Sequence, residues 1–341
     1  MTQEPVWWVT GGSGFLGRYV LPCLAERHPV VALARNPDEA PRIPGVHWVA
    51  GDLRRPETWL TEARALPLAG VLHMGAQVAH TRQNGMAAAE EQPRAMETIV
   101  ALASEQRARL VFVSSSGTVG CSRREEDAPD EGAPEAWRLV ARWPYYRGKI
   151  LAERAALAAA SRDQLPVVVL RPPMLLGPGD TLGRSTSTLR RYLGGRLPFL
   201  VRGGIHVADV RDVAAATVAA CLRPEARGLY HLPGHAEGLA AFLQRCERLC
   251  GVPAPRRHVP FGVAWLAAHG AGLVAKRFRA HPWLPDPVVI EMGRHYWGLS
   301  SIRSEDGLGY RPRPVDETLR DTLSWLLSEM KATSPEGRLE G

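Results

Sequence analysis

Short apolar, β-favouring runs alternate with helical stretches through the first half of the chain. VWWVT (6–10), PVVALAR (29–35), VHWVA (46–50), GVLHM (70–74), RLVFVSSS (109–116) and PVVVLR (166–171) read as six strands. Helices are expected from the Gly-rich turn after residue 10 to about Arg27, from Pro56, over 87–107 and over 145–161. The strands are nearly continuous apolar runs rather than alternating ones. A parallel sheet covered on both faces requires that pattern. Repeated βα units with right-handed crossovers predict a doubly wound α/β sheet. After Arg171 the rhythm breaks into the Pro/Gly loop RPPMLLGPGD, followed by shorter elements at 185–194, 210–222, 228–232, 236–250, 261–276 and 316–330. The expected division is a sheet domain over 1–172 and a smaller C-terminal lobe over 173–330 that mainly supplies a substrate pocket. Segments of that lobe return to the sheet core, and residues 331–341 form a frayed tail. There is no internal repeat.

The composition of the 341 residues, 45% hydrophobic and 23% charged, excludes a disordered, collagen-like or coiled-coil chain. The net charge of +7 is almost entirely arginine, since the only lysines are Lys149, Lys276 and Lys331. That balance suits anionic small molecules as well as it suits nucleic acid. A small-molecule substrate is expected, with no nucleic acid. Five cysteines show neither a disulfide framework nor zinc-ligand spacing, so a reducing compartment and no metal are expected. The N-terminus has no signal-peptide pattern. The longest uncharged apolar run, Phe261 to Ala275, is too short to span a bilayer. The expectation is a cytoplasmic protein without stable membrane insertion. For residues 261–279 a packed helix is favoured over contact with a membrane or an acyl chain.

TGGSGFLG (10–17) follows the first strand and opens the first helix, giving G-x-x-G-x-x-G at Gly11, Gly14 and Gly17. In that context Gly11 allows a tight turn, and Gly14 lets the backbone approach a pyrophosphate. Gly17 lets the helix pack close to the sheet, and the helix N-terminus faces the phosphates. The end of the second strand selects the dinucleotide. A carboxylate there would bind the ribose 2′-OH of NAD, whereas an arginine can pair with the 2′-phosphate of NADP. Here Arg35 stands in that place with no carboxylate before Asp38, so NADP(H) is favoured over NAD. Asp52, after the third strand, is a candidate acceptor for the adenine amino group or a simple helix cap.

WPYYRGKILAER places Tyr145 and Lys149 four apart at the start of a helix, on one face. A nearby lysine would lower the phenol's pKa and allow Tyr145 to act as general acid–base. Tyr146, three from the lysine, fits less well. Ser114-Ser115-Ser116 ends the fifth strand, where ligands sit in a doubly wound sheet.

Together these motifs resemble the extended branch of the short-chain dehydrogenase/reductase superfamily, the NAD-dependent epimerase/dehydratase family. TGGSGFLG, YYRGK, LRPPMLLGPGD, VRDVA and the ending LGYRPRPVDETLRDTLSW carry the resemblance, from residue 6 to about 327. ALARNP and VFVSSSGTV are most similar to its dihydroflavonol reductase and 3β-hydroxysteroid dehydrogenase group. The resemblance implies a Rossmann sheet and a catalytic set of Ser115, Tyr145 and Lys149. It implies 2′-phosphate pairing by Arg35 and a nicotinamide wall at Pro172. The full cofactor-contact set expected is Gly11, Gly14, Phe15, Leu16, Gly17, Arg35, Asp52, Leu53, Gly75, Tyr145, Lys149 and Pro172. Two positions depart from the pattern. An ungapped count puts Glu91 where relatives carry Asn, and Gly148 where they carry Ser before the lysine.

The activity implied is NADP(H)-dependent reduction of a ketone, or oxidation of the alcohol, on a bulky apolar or aromatic molecule. One alternative is a nucleotide-sugar epimerase or dehydratase with tightly held NAD. Another is a non-catalytic NADP-binding protein. Residues 180–205 and 255–300 are expected to shape the pocket, with Phe199, Trp265, Trp283, Tyr296 and Trp297 as candidate walls. Arg184, Arg190, Arg191 and Arg196 are candidates for an acidic group. A monomer or homodimer is expected, the Ala-rich helix 146–161 being a candidate seam.

Overall fold

The computed structural model describes residues 4–75, 85–278 and 286–333. Its strands are β1 (Val6–Thr10), β2 (Val30–Ala34), β3 (Val46–Ala50), β4 (Leu68–His73), β5 (Arg109–Val113), β6 (Cys121–Ser122), β7 (Val167–Arg171), β8 (Met174–Leu176), β9 (Gly204–Asp209), β10 (Gly228–His231), β11 (His235–Gly238) and β12 (Tyr296–Trp297). Its helices are α1 (Gly17–Ala25), α2 (Leu60–Ala65), α3 (Gly85–Glu105), α4 (Trp137–Val140), α5 (Pro144–Arg162), α6 (Ser187–Leu193), α7 (Val210–Leu222), α8 (Leu239–Cys250), α9 (Phe261–Phe278), α10 (Pro287–Gly293), α11 (Ser304–Leu308) and α12 (Val315–Thr333).

Seven parallel strands form the central sheet in the order β3-β2-β1-β4-β5-β7-β10. Successive strand residues point to opposite faces. Trp7 and Val9 of β1 therefore enter one apolar cluster with α1 and α7, while Trp8 enters the other with α3 and α5. Val111 and Val113 oppose Leu110 and Phe112 in the same way. Because both faces are covered, the inner strands need apolar residues at every position, as their continuous runs predicted. The edge strand β3 is more exposed. The chain winds outward from β1 to β3, then returns to the other side of β1 with β4. That reversal opens a crevice at the carboxyl ends of β1 and β4.

A second sheet, β11-β9-β8, carries a separate apolar cluster built from α6, α8 and α12 around Phe242, Leu243, Leu319 and Leu323. Here the structure departs from the sequence expectation. Met174–Leu176, expected as loop, pairs in parallel with β9. The helix expected from 236 starts at Leu239, after β11. Strands of three or four residues are too short to show a period. The alanines of α5 also find a use within the chain. Ala152, Ala156 and Ala159 are buried against the central sheet, whereas Ala158 on the outer side is exposed.

Candidate active site

The Gly-rich turn joins β1 to α1 at the crevice. Gly11 has φ +77°, and a Cβ there would lie 2.5 Å from the Gly75 amide nitrogen. Any side chain would push this turn off the end of β4, so glycine is required. A Cβ at Gly75 would be 3.2 Å from Leu53 Cδ2, which brings Gly11, Gly75 and Leu53 to one place. At Gly17 a Cβ would meet the Gly12 carbonyl oxygen at 2.2 Å. That glycine closes α1 onto its own loop, rather than onto the sheet as the sequence suggested. α1 begins with no side-chain cap and no acidic residue in its first turn. Its leading amides and positive dipole end therefore suit an anion. The cradle fits the pyrophosphate of a dinucleotide, with Gly14, Phe15 and Leu16 on the cavity wall.

Arg35 is exposed at the end of β2, near enough to Asp52 that its charge helps lower that carboxyl. The larger cause is Arg54, whose amide and guanidinium donate to Asp52 at 3.0 and 2.6 Å. Asp52 caps no helix, because the short turn Pro56–Thr58 starts at Arg55 without a side-chain cap. Arg54 places a second guanidinium on this side of the crevice and was not anticipated from the sequence.

Pro144 starts α5 at a position where its missing N–H costs nothing. Tyr145, Lys149 and Glu153 then follow at four-residue spacing on one face. Ser115 lies two residues beyond β5 and caps the turn Ser116–Thr118 by accepting from the Gly117 amide. Its hydroxyl also hydrogen-bonds the Tyr145 phenol. The Lys149 Nζ is buried, donates to the Val113 carbonyl at 2.8 Å and lies 6.0 Å from the Tyr145 ring centre. Tyr146 also lines the cavity, its ring 5.1 Å from that of Tyr145, but it is held among other aromatics. It lies against Gly117, with Trp143 at 6.1 Å and Trp297 at 5.4 Å between ring centres.

The electrostatics differ from the simple expectation. Burial pushes the Tyr145 phenol up to about 12, opposed by the Ser115 hydrogen bond. The lowering expected from Lys149 is not what dominates. The lysine's own amine is pulled down by burial to about 7, held back only by Glu153. Beneath it, burial and the charge of Lys149 push His73 down to about 3. His73 is therefore neutral at physiological pH, 2.7 Å from Thr10 Oγ1 and stacked on Phe112.

Sequence reasoning missed the layer behind the lysine. Glu153 accepts from Arg171 at 2.6 Å and from Thr118 at 3.1 Å, and Arg171 also meets His231 at 3.2 Å. The side chains of Arg171 and Glu153 are 3% and 0% exposed. The i, i+4, i+8 repeat of Tyr145, Lys149 and Glu153 was the available signal. The two departures on α3 and α5 are linked. Glu91 has a buried, unpartnered carboxylate oxygen, whereas its neighbour Gln92 reaches α5 and donates to the Tyr145 carbonyl at 3.4 Å. A Cβ at Gly148 would lie 2.8 Å from Gln92 Nε2, so the space a serine would take is occupied.

Ser115, Tyr145, Lys149 and Pro172 open onto one cavity of about 620 Å³ that reaches from Gly11 and Gly14 to α10. Its far wall is apolar, with Met174, Leu197, Phe199, Ile205, Val289 and Trp297. Arg184 and Arg191 line one side. Arg190 instead turns to Glu329 at 2.8 Å, and Arg196 is exposed outside the lining. Trp265 packs with Ala264, Ala268 and Ile290, and Tyr296 lies against Gly204. Trp283 falls outside the described residues.

Residues 7–231 match the model of the NAD dependent epimerase/dehydratase family. A putative dihydroflavonol 4-reductase of Synechocystis sp. is 27% identical over 328 residues, covering 93% of each chain. A 2-alkyl-3-oxoalkanoate reductase of Stenotrophomonas maltophilia is 29% identical, over 92% of this chain and 96% of its own. The UDP-glucose 4-epimerase of Thermus thermophilus, solved with NAD, superposes with a TM-score of 0.72 at 21% identity. It covers 94% of this chain and 99% of its own, a likeness of fold. This chain belongs to the NAD-dependent epimerase/dehydratase family, the extended branch of the short-chain dehydrogenase/reductases, and is an NAD(P)-dependent oxidoreductase.

Proposed function

We propose that this protein reduces a ketone on a bulky, largely apolar small molecule with NADPH, or runs the reverse oxidation. The observation that carries this is the convergence of Ser115, Tyr145 and Lys149 on one apolar-walled cavity that begins at the glycine cradle. The dinucleotide, when bound, supplies the hydride. The Tyr145 phenol, kept protonated by burial, gives its proton to the carbonyl oxygen. Ser115 holds that oxygen with its hydroxyl. Lys149, whose amine titrates near neutrality, sits on the same face of α5 with its Nζ 6.0 Å from the Tyr145 ring centre, and places a cation beside the phenolate that forms. Arg35 pairs with the 2′-phosphate, and Gly11, Gly14 and the start of α1 hold the pyrophosphate. Pro172 lines the nicotinamide.

Arg184 and Arg191 suit an acidic group on the substrate. An alkyl-bearing 3-oxo acid, the substrate type named for one relative, combines both features. The same arginines also suit the diphosphate of a nucleotide sugar, which keeps the epimerase reading as second choice. The test is NADPH oxidation, followed by absorbance, with a panel of alkyl and aryl ketones with and without a carboxylate. Turnover preferring NADPH and lost in Tyr145→Phe supports the proposal. No turnover, together with NAD released on denaturing the purified protein, would overturn it in favour of the epimerase.

A further inference from the structure

From Phe261 to Ala275 helix α9 carries a single polar side chain, His269, yet its buried residues among those described lie on one side. Ala264, Ala268 and Ala271 are buried, the first two with Ile290 of α10. At roughly 100° per residue, Val263, Leu266, Gly270, Leu273 and Val274 share the opposite face. All five are exposed; Leu266 and Leu273 retain 68% and 70% of their surface. A helix that is apolar all round is ordinarily buried all round, and an exposed apolar face of this kind marks a contact. Among the described residues no helix is long and apolar enough to cross a membrane, so the face is one that lies on its partner.

The charge around the helix says what the partner is. No aspartate or glutamate occurs between Arg248 and Asp286, whereas Arg256 and Arg257 precede α9 in the sequence and Lys276 and Arg277 fall in its last turn. Arg256 is occupied by Glu247. Arg257, Arg202 and, in the last turn of α9, Arg277 are exposed. An apolar stripe with basic residues before it in the sequence and in its last turn, and with acids excluded, matches the interface of an anionic bilayer. The stripe enters the acyl boundary there and the cations meet the headgroups.

We propose that α9 docks this protein onto the surface of an anionic lipid membrane, lying in the interface without crossing it. α10, which packs on α9, carries Val289, exposed and part of the cavity lining. The docked face therefore adjoins the wall of the apolar cavity. The docking does not depend on which substrate the cavity takes.

The test uses the full chain and co-sedimentation with vesicles of phosphatidylglycerol and phosphatidylcholine, against phosphatidylcholine alone. Binding is expected to be roughly tenfold or more tighter on the anionic vesicles, since each basic residue near the surface contributes about fivefold. It should weaken as salt is raised. The double variant Leu266→Glu/Leu273→Glu replaces exposed side chains, so its thermal midpoint should match the parent's while vesicle binding is lost. The proposal is overturned if the parent does not sediment with anionic vesicles at low salt, or binds neutral vesicles equally well. Retained binding in the double variant would overturn it too. So would light scattering that shows a dimer which the double variant breaks, since the face would then join two copies of this chain.

Discussion

Lys149→Met is expected to abolish turnover and, at neutral and acid pH, to stabilise the fold. The amine falls from 10.5 to about 7 through burial, relieved in part by Glu153. At about 1.4 kcal/mol per pH unit, holding the ammonium in the folded chain below pH 7 costs about 5 kcal/mol relative to the unfolded chain. Methionine removes that cost and fills most of the volume. It also strands the Val113 carbonyl, which accepts from Lys149 at 2.8 Å. An unsatisfied buried acceptor costs about 1–3 kcal/mol. The net gain is about 2–4 kcal/mol. At an unfolding entropy of about 2 cal/mol/K per residue over 341 residues, the thermal midpoint rises by about 3–6 °C. The pH dependence has a definite sign. The folded pKa lies below the unfolded one, so the parent is at its most stable above about pH 10.5 and loses stability as pH falls towards about 7. The variant's advantage must therefore shrink as pH rises through that window, and reverse once the amine is neutral in both states. Tryptophan-fluorescence melts of both proteins, without dinucleotide, from about pH 6 to about pH 10 measure this. A variant less stable at the acid end, or a difference that ignores pH, would refute the reasoning.

Tyr145→Phe should lower turnover by about a hundredfold or more while leaving dinucleotide affinity within a few-fold, because only the transferable proton is lost. Tyr146→Phe should keep most activity, since that ring packs among aromatics; the opposite ranking in steady-state assays would exchange their roles. Arg35→Ala should weaken NADP roughly tenfold and NAD hardly at all, the low end for a charge-assisted pair at an exposed site. Titration of both dinucleotides decides it, and equal losses would reduce Arg35 to a loop residue. Glu153→Gln leaves Arg171 buried without its carboxylate, and should cost about 3–5 kcal/mol in chemical denaturation. It should also move the alkaline fall of activity to lower pH, because Glu153 holds the Lys149 amine up. A loss under about 1 kcal/mol would mean that the pair is solvated in solution.

Local periodicity was enough for the inner strands of the central sheet, for the glycine turn, and for the shared face of Tyr145 and Lys149. Each rests on spacing within a few residues, where strand pleat and helix turn dictate the geometry. Elements without a period were lost: β8 and β11 have three and four residues, and their pairing with β9 lies tens of residues away. The arginines of α6 show the same division. The sequence placed Arg190 and Arg191 together as candidates, but adjacent helical residues diverge by roughly 100°. Only the packing of α12 decided that Arg190 would meet Glu329 and Arg191 the cavity. The chemistry of the site was decided latest of all. Proximity in sequence suggested that Lys149 would lower the Tyr145 pKa. Burial by β5, whose Val113 carbonyl takes the lysine's proton donor, raised the phenol and lowered the amine instead, because desolvation depends on everything packed around a group and on no single neighbour.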